Sequence, residues 1–211
     1  MDLSRYDGKH VRVTDKWGET FTGMAEYGNS IEEIKVHGTV ELWTERMVLR
    51  RYRMDDAPDL YRYLGTDPAM SAYSGWNPYA TAEMAQETVR GFIDSYRDAH
   101  VYSWIMDMDD VIVGTIGAYD FQDDQIEVGF SVVPGWQGRG LATAALKKVL
   151  DYLTGNEGIA CVTAWCASEN TASRRVLEKA GMKLVCTEKK DIEVGERVFD
   201  KLVYEYRPAE G

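Results

Sequence analysis

The chain has 211 residues, of which 45% are hydrophobic and 28% charged. That is the make-up of one generous globular domain, or of a medium domain with a small attachment, and it excludes a disordered chain. Lys and Arg number 24 against 35 Asp and Glu, a net charge of −11, so the surface repels phosphate backbones and favours cationic partners or amines over nucleic acid.

No apolar run approaches the ~18 residues of a membrane span. The opening MDLSRYDGKH carries charges where a secretion signal needs an apolar stretch. Cys161, Cys166 and Cys186 have neither zinc-site spacing nor an even count, which points to a reducing cytoplasm with no disulfide framework and no metal. The first forty residues read apart from the rest. Val11, Val13, Thr20 and Phe21 flank Lys16-Trp17-Gly18-Glu19, a tight-turn signal with glycine available for positive φ. A small antiparallel β unit of two to four strands is expected over 1–40. Five basic against seven acidic residues there suit a scaffold or homodimerisation element rather than an RNA-binding one.

From residue 42 to 206 the pattern alternates strand and helix, with 207–211 as a tail. Met47–Tyr52 reads as a strand, and Asp55-Asp56-Ala57-Pro58 opens a helix with Leu60, Tyr61 and Leu64 on its apolar face. An aromatic loop over 66–80 leads to Thr81, an N-cap for a helix carrying Met84, Val89, Phe92, Ile93 and Tyr96. Strands are expected at Tyr102–Met106, Val111–Tyr119 and Ile126–Val133, turning at Asp109-Asp110 and Asp123-Asp124. A helix at Gly140–Leu153, a strand at Ala160–Trp165, a helix at Thr171–Ala180 and strands at Lys183–Glu188 and Val198–Tyr206 complete an α/β (α+β) chain.

The chemistry is concentrated in Val132-Val133-Pro-Gly-Trp-Gln137-Gly138-Arg139-Gly140-Leu141-Ala142-Thr143. A strand ends, and a glycine turn feeds a helix whose first N–H groups have no partner, so an anion fits there. The segment lacks the Lys-Ser/Thr of a P-loop and the third glycine of a dinucleotide fingerprint. Arg139, Arg174 and Arg175 form a basic set in an acidic chain.

Gln137-Gly-Arg-Gly140-Leu-Ala142 resembles the Gln/Arg-x-x-Gly-x-Gly/Ala turn of the GNAT acyltransferases. Asn170-Thr-Ala-Ser173…Glu178-Lys-Ala-Gly181-Met and Thr44-Glu-Arg-Met-Val-Leu-Arg50 are similar to the branch that includes ribosomal-protein N-terminal acetyltransferases. Residues 7–27 are similar, over one hairpin, to the opening of Sm-like barrels. The GNAT resemblance covers 42–206 and implies a mixed central sheet flanked by helices, acetyl-CoA (coenzyme A) as donor and no metal. It further implies pyrophosphate on the Gln137–Thr143 turn, the pantetheine arm along the strand ending at Val132 and Val133, and Asn170 and Ser173 beside the cofactor.

An acyl transfer needs a neutral amine, so a base is required. The family's Glu-x-Gly-Tyr appears here as Glu127-Val-Gly-Phe130, which nominates Glu127; alternation places Glu127, Gly129 and Ser131 on one face. The family's tyrosine on the helix after Asn170 is replaced by Leu177, so Ser173 is expected to assist the departing thiolate, with Tyr204 in reserve. The acceptor pocket is expected from Tyr73, Trp76, Tyr79, Tyr119, Asp120 and Trp165. His10, His37 and His100 have no ligand spacing. The acceptor is a protein N-terminal amine or a small cationic amine such as a polyamine or aminoglycoside; a non-catalytic acyl-CoA-binding module is the alternative outside enzymes.

Overall fold

The structure is a computed structural model that describes residues 10–14, 20–27, 34–98 and 100–208, with side chains described from His37 onward. Three strands, β1 (His10–Thr14), β2 (Thr20–Tyr27) and β3 (Ile34–His37), form an antiparallel sheet in the order β1-β2-β3. The Lys16–Glu19 turn expected between the first two lies outside the described residues.

Eight further strands form the main sheet: β4 (Leu42–Trp43), β5 (Val48–Arg50), β6 (Tyr102–Met108), β7 (Val111–Gln122), β8 (Gln125–Val132), β9 (Cys161–Ala167), β10 (Lys183–Val194) and β11 (Arg197–Tyr206), ordered β10-β11-β9-β8-β7-β6-β5-β4. Every neighbouring pair is antiparallel except β8 with β9. The two acidic turns are built as read. Asp109 and Asp110, and likewise Asp123 and Asp124, have φ between 51° and 63°, the doubly left-handed geometry of a tight hairpin that Asp tolerates. The closing strands run further than the sequence pattern indicates because Gly195-Glu196 turns them while Val194 still pairs with Arg197.

Helices cover both faces. α3 (Leu141–Gly155) and α4 (Thr171–Lys179) lie on one, where Leu146, Val149, Leu150 and Leu177 pack on Val113, Ile126, Val162 and Tyr204. The opposite face carries α1 (Ala57–Leu60) and α2 (Ala82–Ser95), with Leu60, Leu64, Ala85 and Val89 against Ile105 and Ile112. Thr81 caps α2, accepting from the Met84 N–H at 3.2 Å. The helix read from Asp55 forms as one continuous helical run, tight 3-10 at Met54–Asp56, then α1, then a wide π turn at Tyr61–Gly65. Asp56 is drawn into the core by Arg50, whose Nη2 donates to it at 2.8 Å while its Nε donates to Asp107 at 2.6 Å. Cys161 and Cys166 are buried as small apolar groups, but Cys186 is exposed. Among the described residues, no helix is long and apolar enough to cross a membrane and no His, Cys, Asp and Glu side chains cluster as metal ligands.

The segment leaving the first sheet is sewn into the larger unit. Glu157 accepts from the Gly38 N–H at 3.0 Å and from the Tyr102 hydroxyl at 3.1 Å, and lies 3.0 Å from His37 Nδ1. Trp104 donates its indole N–H to the Val40 carbonyl at 2.6 Å.

Candidate active site

The site begins where the sheet comes apart. β8 and β9 pair at three positions only, ending with Glu127 opposite Thr163. Beyond that point β8 continues to Val132, held by β7, and β9 continues to Ala167, held by β11. The two strands therefore diverge, and the β9-facing edge of β8 is left as an open backbone edge able to pair with a peptide-like chain. The Thr163 hydroxyl donates to the Ile126 carbonyl at 3.3 Å, at the closed end of the wedge.

At the open end stands the glycine turn. Gly138 and Gly140 have φ of 73° and 79°, a region that costs other residues about 1–2 kcal/mol. A Cβ at either would meet nothing within 4 Å, so the turn faces open space. Gly140 caps α3 without a side-chain bond. The Ala144 N–H is the first to find a helical acceptor, the Gly140 carbonyl at 3.0 Å; the N–H groups of 141–143 precede it and point out of the helix. The Gln137 amide donates to the Val132 carbonyl at 3.1 Å, tying the turn to the end of β8. Arg139 folds back on its own turn, 4.6 Å over the Trp136 ring with Nη2 on the Gly135 carbonyl. A second arginine, Arg46 in the turn between β4 and β5, donates to the Arg139 carbonyl at 3.1 Å; sequence reasoning placed no residue of that turn here, because only the folded sheet brings it to the glycines.

Glu127 is half-buried at the vertex of the wedge. The Trp165 indole N–H donates to its Oε1 at 3.1 Å, and Tyr119 stands directly opposite on β7, its hydroxyl favouring the ionised carboxylate. Loss of water pushes the Glu127 carboxyl above the usual carboxylate range; Tyr119, Trp165 and Lys201 pull it back, while Asp120 adds to the rise. The Tyr119 hydroxyl is held well above its ordinary value, by burial first and then by the charge on Glu127. Asp120, Asp123, Gln125 and Thr163 join Glu127 around a cleft of about 340 Å³, an acidic mouth leading to the vertex.

The other face of the wedge carries Asn170 and Ser173. Asn170 is the N-cap of α4, accepting the Ser173 N–H at 3.1 Å. The Cys166 thiol is pushed up to about 11 by burial, with Arg174 and Ser173 acting the other way. Alternation along β9 sends Trp165 toward Glu127 and Cys166 toward α4, so Glu127 and Ser173 lie on opposite faces of the sheet, with the gap between β8 and β9 joining them. Tyr204 is buried and donates to Glu178 at 3.3 Å.

Of the six aromatic and acidic residues expected around the acceptor, Tyr119, Trp165 and Asp120 surround Glu127. Tyr73 belongs to the small cluster that includes Trp165, with Phe199 at 5.6 Å. Trp76 is 66% exposed on the loop. Tyr79 is not brought to the cleft: it is buried in the core under α1 and α2, its hydroxyl 3.3 Å from that of Tyr52. The residues missed around the vertex are Thr163, Asp123, Gln125 and Lys201. Their place depends on the register of β8, β9 and β11, for which a single sequence holds no signal.

A sheet that opens between two parallel strands, beside a glycine-built helix N-terminus, defines a protein that can take an acyl carrier with a phosphate tail. Residues 46–183 match the model of the acetyltransferase (GNAT) domain, and the chain belongs to the GNAT acetyltransferase family as an acetyl-CoA-dependent enzyme. It is 28% identical over 140 residues to the N-acetyltransferase p20 of Bacillus licheniformis, covering 64% of this chain and 78% of that one. Among solved structures, a GNAT-family acetyltransferase from Bacillus anthracis superposes with a TM-score of 0.70 at 23% identity, covering 81% of this chain and 99% of that one. RimL, a ribosomal L7/L12 α-N-protein acetyltransferase in complex with coenzyme A, superposes with a TM-score of 0.74 at 16% identity over 79% of this chain and 97% of its own.

Proposed function

We propose that the protein transfers acetyl from acetyl-CoA to a primary amine at Glu127. The observation that carries this is the coincidence of the last β8–β9 pair with a half-buried carboxylate. The residues present suit the cofactor. The outward N–H groups of the Gln137, Gly138, Arg139, Gly140, Leu141, Ala142 and Thr143 turn would hold the pyrophosphate, and the open edge up to Val132 and Val133 would hold the peptide-like arm. When bound, acetyl-CoA supplies the activated thioester.

Most of the rate would then come from holding the amine and the thioester carbonyl carbon together. Glu127 takes the proton of the incoming ammonium, directly or through water, because only the neutral amine has a lone pair to donate. The Ser173 hydroxyl offers a hydrogen bond to the sulfur that leaves, on the face opposite the base. Asp120, with Tyr119 and Trp165, orients the amine.

Likeness in fold to RimL and to a ribosomal-protein-S5-alanine acetyltransferase from Vibrio fischeri favours a protein N-terminus as acceptor. A second reading, a small cationic amine, is favoured by the cleft lined with Asp120, Asp123 and Glu127. A panel of N-terminal peptides, polyamines and aminoglycosides, read by release of free thiol from acetyl-CoA, separates them. No turnover with any amine, together with tight acetyl-CoA binding, would replace both with a non-catalytic acyl-CoA-binding role. The N-terminal sheet is proposed to act apart from the chemistry, as a packing or homodimer element.

A further inference from the structure

The sheet face that carries Glu127 has a bare patch. Gly117 and Gly129 are register partners, one pair along from Tyr119 opposite Glu127. With no side chains standing on that pair, the Tyr119 ring lies over Gly129. A Cβ built on Gly129 would sit 2.7 Å from the Tyr119 hydroxyl oxygen, and 3.5 Å from the nearest ring carbons. The backbone at Gly129 lies outside the left-handed region, so conformation does not demand glycine there. Close approach does.

We infer that Tyr119 is a positioning residue for the transfer: its hydroxyl and the Trp165 indole N–H together hold the Glu127 carboxylate in place and ionised, and Gly129 is the vacancy that admits Tyr119. The inference rests on the reading of Glu127 as the base. Two donors on a half-buried carboxylate oppose the loss of water that would otherwise protonate it. The remaining charged groups around Glu127 do not substitute for them. Asp120 acts against ionisation, and Asp123 lines the same cleft. Lys201, 5.9 Å over the Trp165 ring, acts for it but is bridged to Glu188 at 3.0 Å and to Asp191 at 3.6 Å. The Tyr119 hydroxyl, itself strongly resistant to ionising, stays a donor throughout the working pH range.

The test reads Glu127 through its neighbour. The Trp165 indole N–H resonance, identified as the one of six tryptophan peaks missing in Trp165→Phe, is followed against pH in the free protein. In the wild type it should titrate with a midpoint above the usual carboxylate range. Tyr119→Phe keeps the ring and removes one donor, so the midpoint should rise by about one pH unit, the scale of one hydrogen bond to a charge. Gly129→Ala pushes the hydroxyl aside without removing it, and should raise the midpoint similarly. In the double variant the atom at 2.7 Å is gone and the next are in ordinary contact, so Gly129→Ala should add nothing to Tyr119→Phe.

An unmoved midpoint in Tyr119→Phe, or additive shifts in the double variant, overturns the inference while leaving Glu127 available as base. Turnover of acetyl-CoA by Glu127→Gln distinguishes the other failure. If it equals the wild type with the best amine of the panel, the base assignment falls and takes the positioning role with it.

Discussion

Glu127→Gln is the substitution that separates the chemistry from the scaffold. The glutamine carbonyl can still accept from the Trp165 indole, now 3.1 Å from Glu127 Oε1, so the vertex should keep its shape, but no group remains to take a proton. General-base loss typically costs about 10²–10⁴ in rate, or roughly 3–5 kcal/mol of barrier. Acetyl-CoA affinity should hold, because the turn at Gln137–Thr143 lies at the other end of the wedge. Stability should move the opposite way to activity. The folded carboxyl is raised above its unfolded value, so between those two values the native state binds more protons and stability falls as pH rises through that window. At neutral pH the ionised Glu127 is thus a burden on the fold, and Glu127→Gln should melt no lower than the wild type. Thiol release measured between pH 6 and 10, with the best amine of the panel, should show a deep loss near neutrality that narrows toward high pH, where neutral amine forms unaided. Wild-type turnover near neutral pH would refute the reasoning and leave Glu127 a solvated strand end.

Gly140→Asp should abolish measurable acetyl-CoA binding by calorimetry, since it forces φ of 79° on a side chain and sets a negative charge at the proposed anion site; affinity within a few-fold of wild type would remove that turn from the cofactor site. Leu146→Ala, at a fully buried position on α3, should cost about 2–5 kcal/mol in denaturant unfolding. Thr81→Ala should cost about 1 kcal/mol by loss of the α2 cap. A chain beginning at His37 should retain acetyl-CoA binding, whereas one beginning beyond Val40 should melt earlier, because Gly38 and Val40 supply bonds to Glu157 and Trp104.

Much of the architecture was legible in the residues because local signals there agreed with the tertiary need. The acidic pairs Asp109-Asp110 and Asp123-Asp124 can hardly be anything but tight turns, and they fix the β6-β7-β8 meander. Thr81 and Asn170 announce their helices with side chains that the backbone uses in the way expected. The same local logic fails at Tyr79. An aromatic loop before a helix reads as a lid, yet the Tyr79 ring is 5% exposed and its hydroxyl is satisfied by Tyr52, a partner 27 residues away. Arg139 could be placed beside the turn but not aimed, since its stacking on Trp136 is a rotamer choice made by the folded chain.

What sequence could not supply is register, and register is what makes the site. Glu127 is an ordinary strand residue until β9 is placed: only then does it become the last paired position on a strand whose next five residues have lost their neighbour. The same placement puts the Trp165 indole on its carboxylate and turns Cys166 to the far face beside Ser173. Gly129 shows the dependence most sharply. In the sequence it is one letter of Glu127-Val-Gly-Phe130, a weak spot in a strand that packs nothing. In the sheet it stands one pair along from Glu127, where any Cβ would meet the Tyr119 hydroxyl. The absent side chain thus becomes part of the site: it is the space through which a neighbouring strand reaches the carboxylate that the wedge exposes.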